Sequence, residues 1–236
     1  MSGKRLAYLA LAVMLAVAVA CQTVASASQR AALFVAQSDV PRVAAGVDVL
    51  AGMAQIPRRT RVFDYRRVAF GDSWTDDNPA PGGHNGCDTR NDILDRDLVE
   101  KTYVSIKRCP NAVAAGTLHD PYTNEVVVFT RGNRIGASVQ IDHLVPLALA
   151  WDLGARDWPE GLRVRFANDP ANLLAVAGEP NQDKSDSEPA LWMPPNEAFR
   201  CQYAVQFIAV LRGYDLPIDV ASARVLRDAA ATCPTS

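Results

Sequence analysis

The chain has 236 residues, 49% of them apolar, a mean hydropathy of −0.03 and a formal net charge of −2. That is enough chain for one catalytic domain with a sizeable core, and no repeat or low-complexity tract suggests a fibrous or disordered class. The mild acidity argues against binding nucleic acid by broad phosphate neutralisation, so any such activity would need a local basic patch, a metal ion, or both.

Lys4 and Arg5 head an apolar run from Leu6 to Ala20, and Ala25-Ser26-Ala27 closes it with small residues. This layout predicts a secretory signal peptide over 1–27, cleaved after Ala27. The run is short for a membrane span, which takes about 20 residues, and no later stretch could be one. Ala18-Val19-Ala20-Cys21 loosely resembles a lipoprotein box, so lipid anchoring at Cys21 is the alternative route of export. Removing residues 1–27 leaves 22 basic against 26 acidic groups, a net −4. Residues 28–60 read as a flexible or helical tether, with a short amphipathic helix over Val43 to Met53 ended before Pro57.

The domain proper is placed at 61–236. Phe63, Tyr65, Val68, Phe70 and Trp74 suggest a packed extended segment, and the Asp/Pro/Gly/Asn-rich stretch from Asp76 to Gly86 a loop. Thr89 opens a helix to about Glu100. Strand signals follow at Tyr103 to Ile106 and Gly116 to Leu118, and the turn Asp120-Pro121-Tyr122-Thr123-Asn124 leads into Glu125 to Thr130, making a β-hairpin. Gly132 and Gly136 mark another turn. Ser138 to Leu144 reads as a strand, Leu147 to Leu153 and Pro159 to Ala167 as helices, and Leu173 to Val176 as a brief strand. A helix starting near Asn181 carries Lys184, Trp192-Met193-Pro194-Pro195 is a rigid connector, and two more helices run over Asn196 to Arg212 and Asp219 to Ala231. Strands first and helices later give the class α+β.

Cys87, Cys109, Cys201 and Cys233 follow the leader, and four cysteines permit three pairings. The local choices are Cys87–Cys109 and Cys201–Cys233, and in an oxidising compartment each would stabilise by about 3–4 kcal/mol on the chain-entropy model. A four-cysteine zinc site is disfavoured because no CxxC spacing occurs.

The chemistry concentrates at Asp142-His143. Of the three histidines, His84 sits in the Gly/Pro loop and His119 precedes a turn, where exposed loop residues are expected. His143 follows an acid at a strand end. An imidazole can take a proton from water near neutral pH, and a carboxylate beside it can hold Mg²⁺, a hard cation preferring oxygen. Phosphodiester hydrolysis needs both a base for the water and a cation for the leaving oxygen. The pair alone is weak, but Asn168, Asn172, Asn181 and Lys184 follow in a strand–loop–strand–helix order.

The segment from Asp142 to Asp186 resembles an HNH nuclease core, the ββα-metal fold, of the branch marked by DH…P, NL and NxxKS. Its Asn172, Asn181 and Lys184 spacing is similar to that in the HNH domain of RNA-guided CRISPR endonucleases. Gly86 to Asn91, Asp120 to Thr123 and Ile141 to Trp151 look like secreted actinobacterial HNH-family proteins, which are related to the HNH half of GmrSD-type restriction enzymes. The similarity covers about Phe63 to Leu216. It implies an HNH core at 138–187 within a small single domain, with an N-terminal β-hairpin region and C-terminal helices. It further implies His143 as general base, Asp142 and Asn181 as ligands of Mg²⁺ or Mn²⁺, Asn172 holding the His143 ring, and Lys184 steadying a phosphate oxygen or the transition-state charge. A long insert holding Trp151 and Trp158 separates His143 from Asn172, so either Asn168 or Asn172 could orient the ring. Arg90, Arg163 and Arg165 are candidate phosphate contacts, although arginines paired with acids are the commoner outcome. Trp151, Trp158 and Trp192 are expected in the core.

The expectation is thus a secreted, monomeric endonuclease acting on DNA or RNA, with no partner protein evident. The competing reading is an HNH-scaffold binding module of the cell envelope without catalytic activity. A metallopeptidase is disfavoured by the lack of an HExxH-like pair.

Overall fold

The computed structural model describes residues 40–132 and 138–235. The leader expected over 1–27 with its Cys21, the first part of the tether, and Gly136 of the expected turn lie outside them. The class is α+β as expected, in a succession of small sheets and short helices.

Helix α1, Thr89–Asp97, starts where the Asp88 carboxylate accepts a hydrogen bond from the Asn91 backbone N–H, satisfying a donor that the first helical turn leaves free. It buries Ile93 and Leu94 and ends at Leu98. The chain then forms strands β2, Val99–Ile106, β3, Cys109–His119, and β4, Val126–Thr130, an antiparallel sheet in the order β2-β3-β4; β1 is Gln55–Ile56, in the N-terminal segment. The Asp120–Asn124 turn between β3 and β4 is held by the Asp120 carboxylate, which accepts from the Thr123 N–H and hydroxyl. Although β4 is a continuous Val-rich run, it still alternates. Val126 and Val128 face solvent while Phe129 is buried and Val127 packs on the core.

Strand β5, Val139–His143, pairs antiparallel with β6, Leu173–Ala177, placing His143 opposite Leu173 and Asp142 opposite Leu174. Val139, Ile141, Leu173 and Ala175 form one face of this ribbon and join Ile93, Leu94, Leu98, Val113, Leu118 and Phe129 in one core. A two-stranded ribbon is marginal alone, and this shared core is what fixes it. The outer edge of β6 is closed by carboxylates: Asp97 accepts from the Ala175 N–H and Asp120 from the Ala177 N–H. Between the strands lie α2, Leu147–Leu153, and α3, Glu160–Asn168. Helix α4, Gly178–Lys184, follows β6 directly, so Asn181 lies mid-helix rather than at its start.

The C-terminal helices α5, Arg200–Gly213, and α6, Val220–Ala230, match the expected positions to within a few residues. Asp219 caps α6 through the Ser222 N–H. The disulfides join Cys87 to Cys109 and Cys201 to Cys233.

The N-terminal segment departs from expectation. Residues 43–53 are not helical, because Gly46 and Gly52 adopt positive φ and break the run into turns. The described part of the tether is strapped to the domain. Val43 bridges Thr235, β1 pairs in parallel with β7, Ile218–Asp219, and Leu50 is buried. Arg59 then locks the strap: its buried guanidinium binds Asp152, Asp186 and Glu188 at 2.6 to 3.0 Å. The expected extended segment after it is a short 3₁₀ turn over Arg67–Phe70, with Phe70 buried and Phe63 and Val68 exposed.

Candidate active site

Strand β5 and helix α4 meet in two rungs. On the strand, Gln140 and Asp142 share the face opposite the core, since side chains alternate. On the helix, Asn181 and Lys184 are three residues apart and share one side. The first rung joins the Asn181 amide N–H to Gln140 Oε1 at 2.7 Å. In the second, Lys184 Nζ lies 3.0 Å from Asp142 Oδ1 and 2.8 Å from Oδ2, and it also donates to the His143 carbonyl at 2.8 Å.

Lys184 was expected at a phosphate, and the structure corrects this. Its side chain is 0% exposed, and its donors are used inside the protein. Burial pushes the Lys184 ammonium down and the Asp142 carboxyl up from their ordinary ranges, and in each the partner's charge opposes that shift. Tyr122, brought in by the Asp120–Asn124 turn, is fully buried and donates its hydroxyl to Asp142 Oδ2. Burial raises the Tyr122 pKa well above its usual value, so the phenol remains a donor.

His143 ends β5 with its ring part-buried. Its Nε2 is 2.9 Å from the Ala167 carbonyl at the end of α3. A carbonyl only accepts, so Nε2 carries the proton and Nδ1 is left as the base. Trp74 stacks on the ring with centroids 5.3 Å apart and planes 13° from parallel. Trp74 itself is held at positive φ, a conformation that costs energy in a bulky residue and often marks a functional site. Desolvation holds the His143 pKa down to about 3; the Ala167 carbonyl opposes this shift, while the Arg67 and Lys184 charges add to it. The imidazole is therefore neutral across the physiological range.

Neither asparagine expected at the ring makes that contact. Asn172, fully buried, accepts from the Val145 N–H at 2.8 Å and donates to the Val145 carbonyl at 3.2 Å, while its own carbonyl takes the Leu144 N–H. It therefore clamps the backbone that leaves His143. Asn168 accepts from the Thr89 hydroxyl and donates to the Val164 carbonyl, tying α3 to α1. The insert takes over the ring because α3 delivers the Ala167 carbonyl.

His143, Asp142, Asn181 and Gln140 line one open cleft of about 510 Å³, together with Tyr65, Arg67 and Asp186. Among the described residues no group of three or more His, Cys, Asp or Glu side chains gathers as a metal cluster. The donors in the cleft nevertheless suit a hard cation bound mainly by water and substrate. The Asp142 carboxylate accepts from Lys184, Tyr122 and the His143 backbone N–H, so a cation would share its oxygens with these donors. With the Asn181 amide nitrogen committed to Gln140, its carbonyl oxygen is the second donor. Two protein oxygens with an open shell fit Mg²⁺ or Mn²⁺.

The three arginines singled out from sequence do not line this cleft. Arg90 donates to the Val139 carbonyl, and Arg163 donates to the Ala69 and Trp158 carbonyls and sits over the Trp151 ring. Arg165 lines a separate groove with Asp169, Gln206 and Tyr214. Of the other histidines, His84 is exposed in its loop and His119 ends β3. Trp151, Trp158 and Trp192 sit in aromatic clusters, with Phe70, Phe166 and Tyr203 as their respective buried neighbours. Tyr65, Trp74 and Tyr122 lay in stretches already noted, but as packing or turn residues rather than site residues, and Arg67 carried no signal in the sequence.

The family model of the C-terminal domain of GmrSD restriction endonucleases matches residues 88–228. An uncharacterized secreted protein of Arthroderma benhamiae is 35% identical over 150 residues, covering 62% of this chain and 68% of that protein. No solved structure matches the chain significantly.

Proposed function

Because this chain belongs to the family of GmrSD restriction endonuclease C-terminal domains, we propose that it is a secreted, divalent-metal-dependent endonuclease of the HNH type that hydrolyses DNA, with RNA as the other candidate substrate. The observation carrying this reading is His143, a neutral imidazole with one nitrogen tied to a carbonyl and the other left as base, in the same cleft as Asp142 and Asn181. His143 Nδ1 takes the proton of a water whose oxygen attacks phosphorus. The P–O bond on the far side breaks, and the leaving oxygen collects a proton from solvent. Asp142 and Asn181 would hold the cation, which when bound supplies Lewis-acid stabilisation of charge on the phosphate and leaving oxygens. Trp74 and the Ala167 carbonyl keep the ring from turning, Asn172 fixes the backbone beyond it, and Lys184 and Tyr122 orient the Asp142 carboxylate.

Secretion is supported by the 1–27 leader pattern, by two disulfides of the kind that persist in oxidising compartments, and by the printed name of the fungal relative. Among the described residues no helix is long and apolar enough to cross a membrane. We expect it to act as a monomer.

Plasmid digestion with Mg²⁺ or Mn²⁺ tests the assignment, comparing wild type, wild type with EDTA, and His143→Ala. Cleavage by wild type alone supports it, and equal cleavage by His143→Ala defeats it. One feature favours the rival, a binding module on the same scaffold: Lys184 and Tyr122 already engage both Asp142 oxygens. Calorimetry showing no Mn²⁺ binding would favour that module.

A further inference from the structure

Most part-buried arginines in this protein have their forks visibly filled. Arg59 meets three carboxylates, Arg96 meets Asp97 and two backbone carbonyls, Arg131 meets the Val113 carbonyl and the Asn91 side chain, and Arg163 meets two carbonyls. Arg67 is different. It lies in the His143 cleft, and its Nη1 is buried with no hydrogen-bond partner among the described residues. A buried donor without a partner is costly and rare, so each one calls for an explanation.

The two carboxylates of the cleft do not provide one. Asp186 is taken by Arg59 and Arg61, and Asp142 by Lys184 and Tyr122. The cleft thus has both carboxylates engaged by other side chains, and Arg67 lines it together with His143. A guanidinium fork matches two oxygens of a phosphate, and held beside a base it places that phosphate for attack. Resting on the nuclease reading above, we propose that Arg67 is the phosphate-binding residue of this cleft, gripping the non-bridging oxygens of the phosphodiester next to His143. The 3₁₀ turn over Arg67–Phe70 anchors it from behind through the buried Phe70. The Arg59 clip holds the strap that leads into this turn, so the described part of the expected tether helps to build the site.

The test uses the full chain and a fluorescein-labelled short DNA duplex, titrated by anisotropy in EDTA at several salt concentrations. Arg67→Ala and Arg67→Lys are compared with wild type, with cleavage rates measured separately in Mg²⁺ and Mn²⁺. Arg67→Ala is expected to bind about 10- to 100-fold more weakly, to lose about one unit of salt slope, and to cut about 100-fold more slowly. Arg67→Lys keeps the salt slope but recovers little of the rate, since an ammonium cannot replace the fork. Melting temperature should stay level or rise, because an unpartnered buried donor is removed. Unchanged affinity and slope in Arg67→Ala overturn the assignment, as does a fall in melting temperature of more than about 5 °C, which would mark a structural residue. A wild type that binds through Arg67 but never cuts leaves the phosphate site standing and removes the nuclease reading. A wild type that cuts as fast as Arg67→Ala does the reverse.

Discussion

Lys184→Met is the most informative single change to the interior. The ammonium is 0% exposed and the Asp142 carboxylate facing it 7%, so removing it leaves a buried negative charge held by two neutral donors, the Tyr122 hydroxyl and the His143 backbone N–H. Breaking such a pair costs about 3–5 kcal/mol. For a domain of this size each kcal/mol moves the melting temperature by about 2–4 °C, so a fall of about 6–20 °C is expected by calorimetry. The loss should depend on pH. Burial already raises the Asp142 pKa above its unfolded value, and losing Lys184 raises it further. A carboxyl that binds its proton more tightly when folded favours folding below its unfolded pKa, near 4, and loses that contribution as pH climbs through the raised value. The variant should therefore recover toward wild type as pH falls through the raised value toward about 4. Adding Asp142→Asn should restore much of the loss, because the two residues act as a unit. A single variant within about 0.5 kcal/mol of wild type at pH 7 would refute the buried pair.

Other outcomes follow from the same geometry. Asn172→Ala strands both polar groups of Val145, and at about 1–3 kcal/mol for each orphaned group it should lower the urea midpoint with an unchanged slope; an unchanged midpoint would contradict the clamp. The His143 pKa near 3 predicts that cleavage shows no inflection from this ring between pH 8 and pH 5, and a pH–rate profile breaking near 6.5 would count against it. Its folded value lies below the unfolded one, so its contribution to stability is complete above about pH 6.5 and declines as pH falls toward 3; His143→Gln should flatten that part of the stability curve. Reducing the two disulfides should lower stability by about 3–4 kcal/mol each, given loops of 22 and 32 residues.

Much of the fold was legible because local patterns carried it. The apolar alternation in β5, the caps of α1 and α6, and Gly154 after α2 all acted within a few residues. The strap was misread for a related reason: Ala and Val at helical spacing suggested a helix, while Gly46 and Gly52 had already broken it. Within the site, Asp142, His143 and Asn181 stand out by type and order, and the structure places them in one cleft. The burial of Lys184 has no local signal, since a lone lysine is ordinarily a surface residue and its partner is an acid 42 residues away. The partner of the His143 ring could not be read at all, since the Ala167 carbonyl carries no side-chain signal. Arg67 and Trp74 come from a segment some 70 residues before His143 and share no period with it.

The central claim meets its most direct trial in single-turnover cleavage of a labelled duplex with saturating Mg²⁺, using His143→Ala with and without added imidazole. The ring removed from beside Trp74 leaves a space of imidazole size. A loss of about 100- to 10,000-fold is expected, partly restored by free imidazole. Cleavage by His143→Ala at the wild-type rate, unaffected by imidazole, would contradict it.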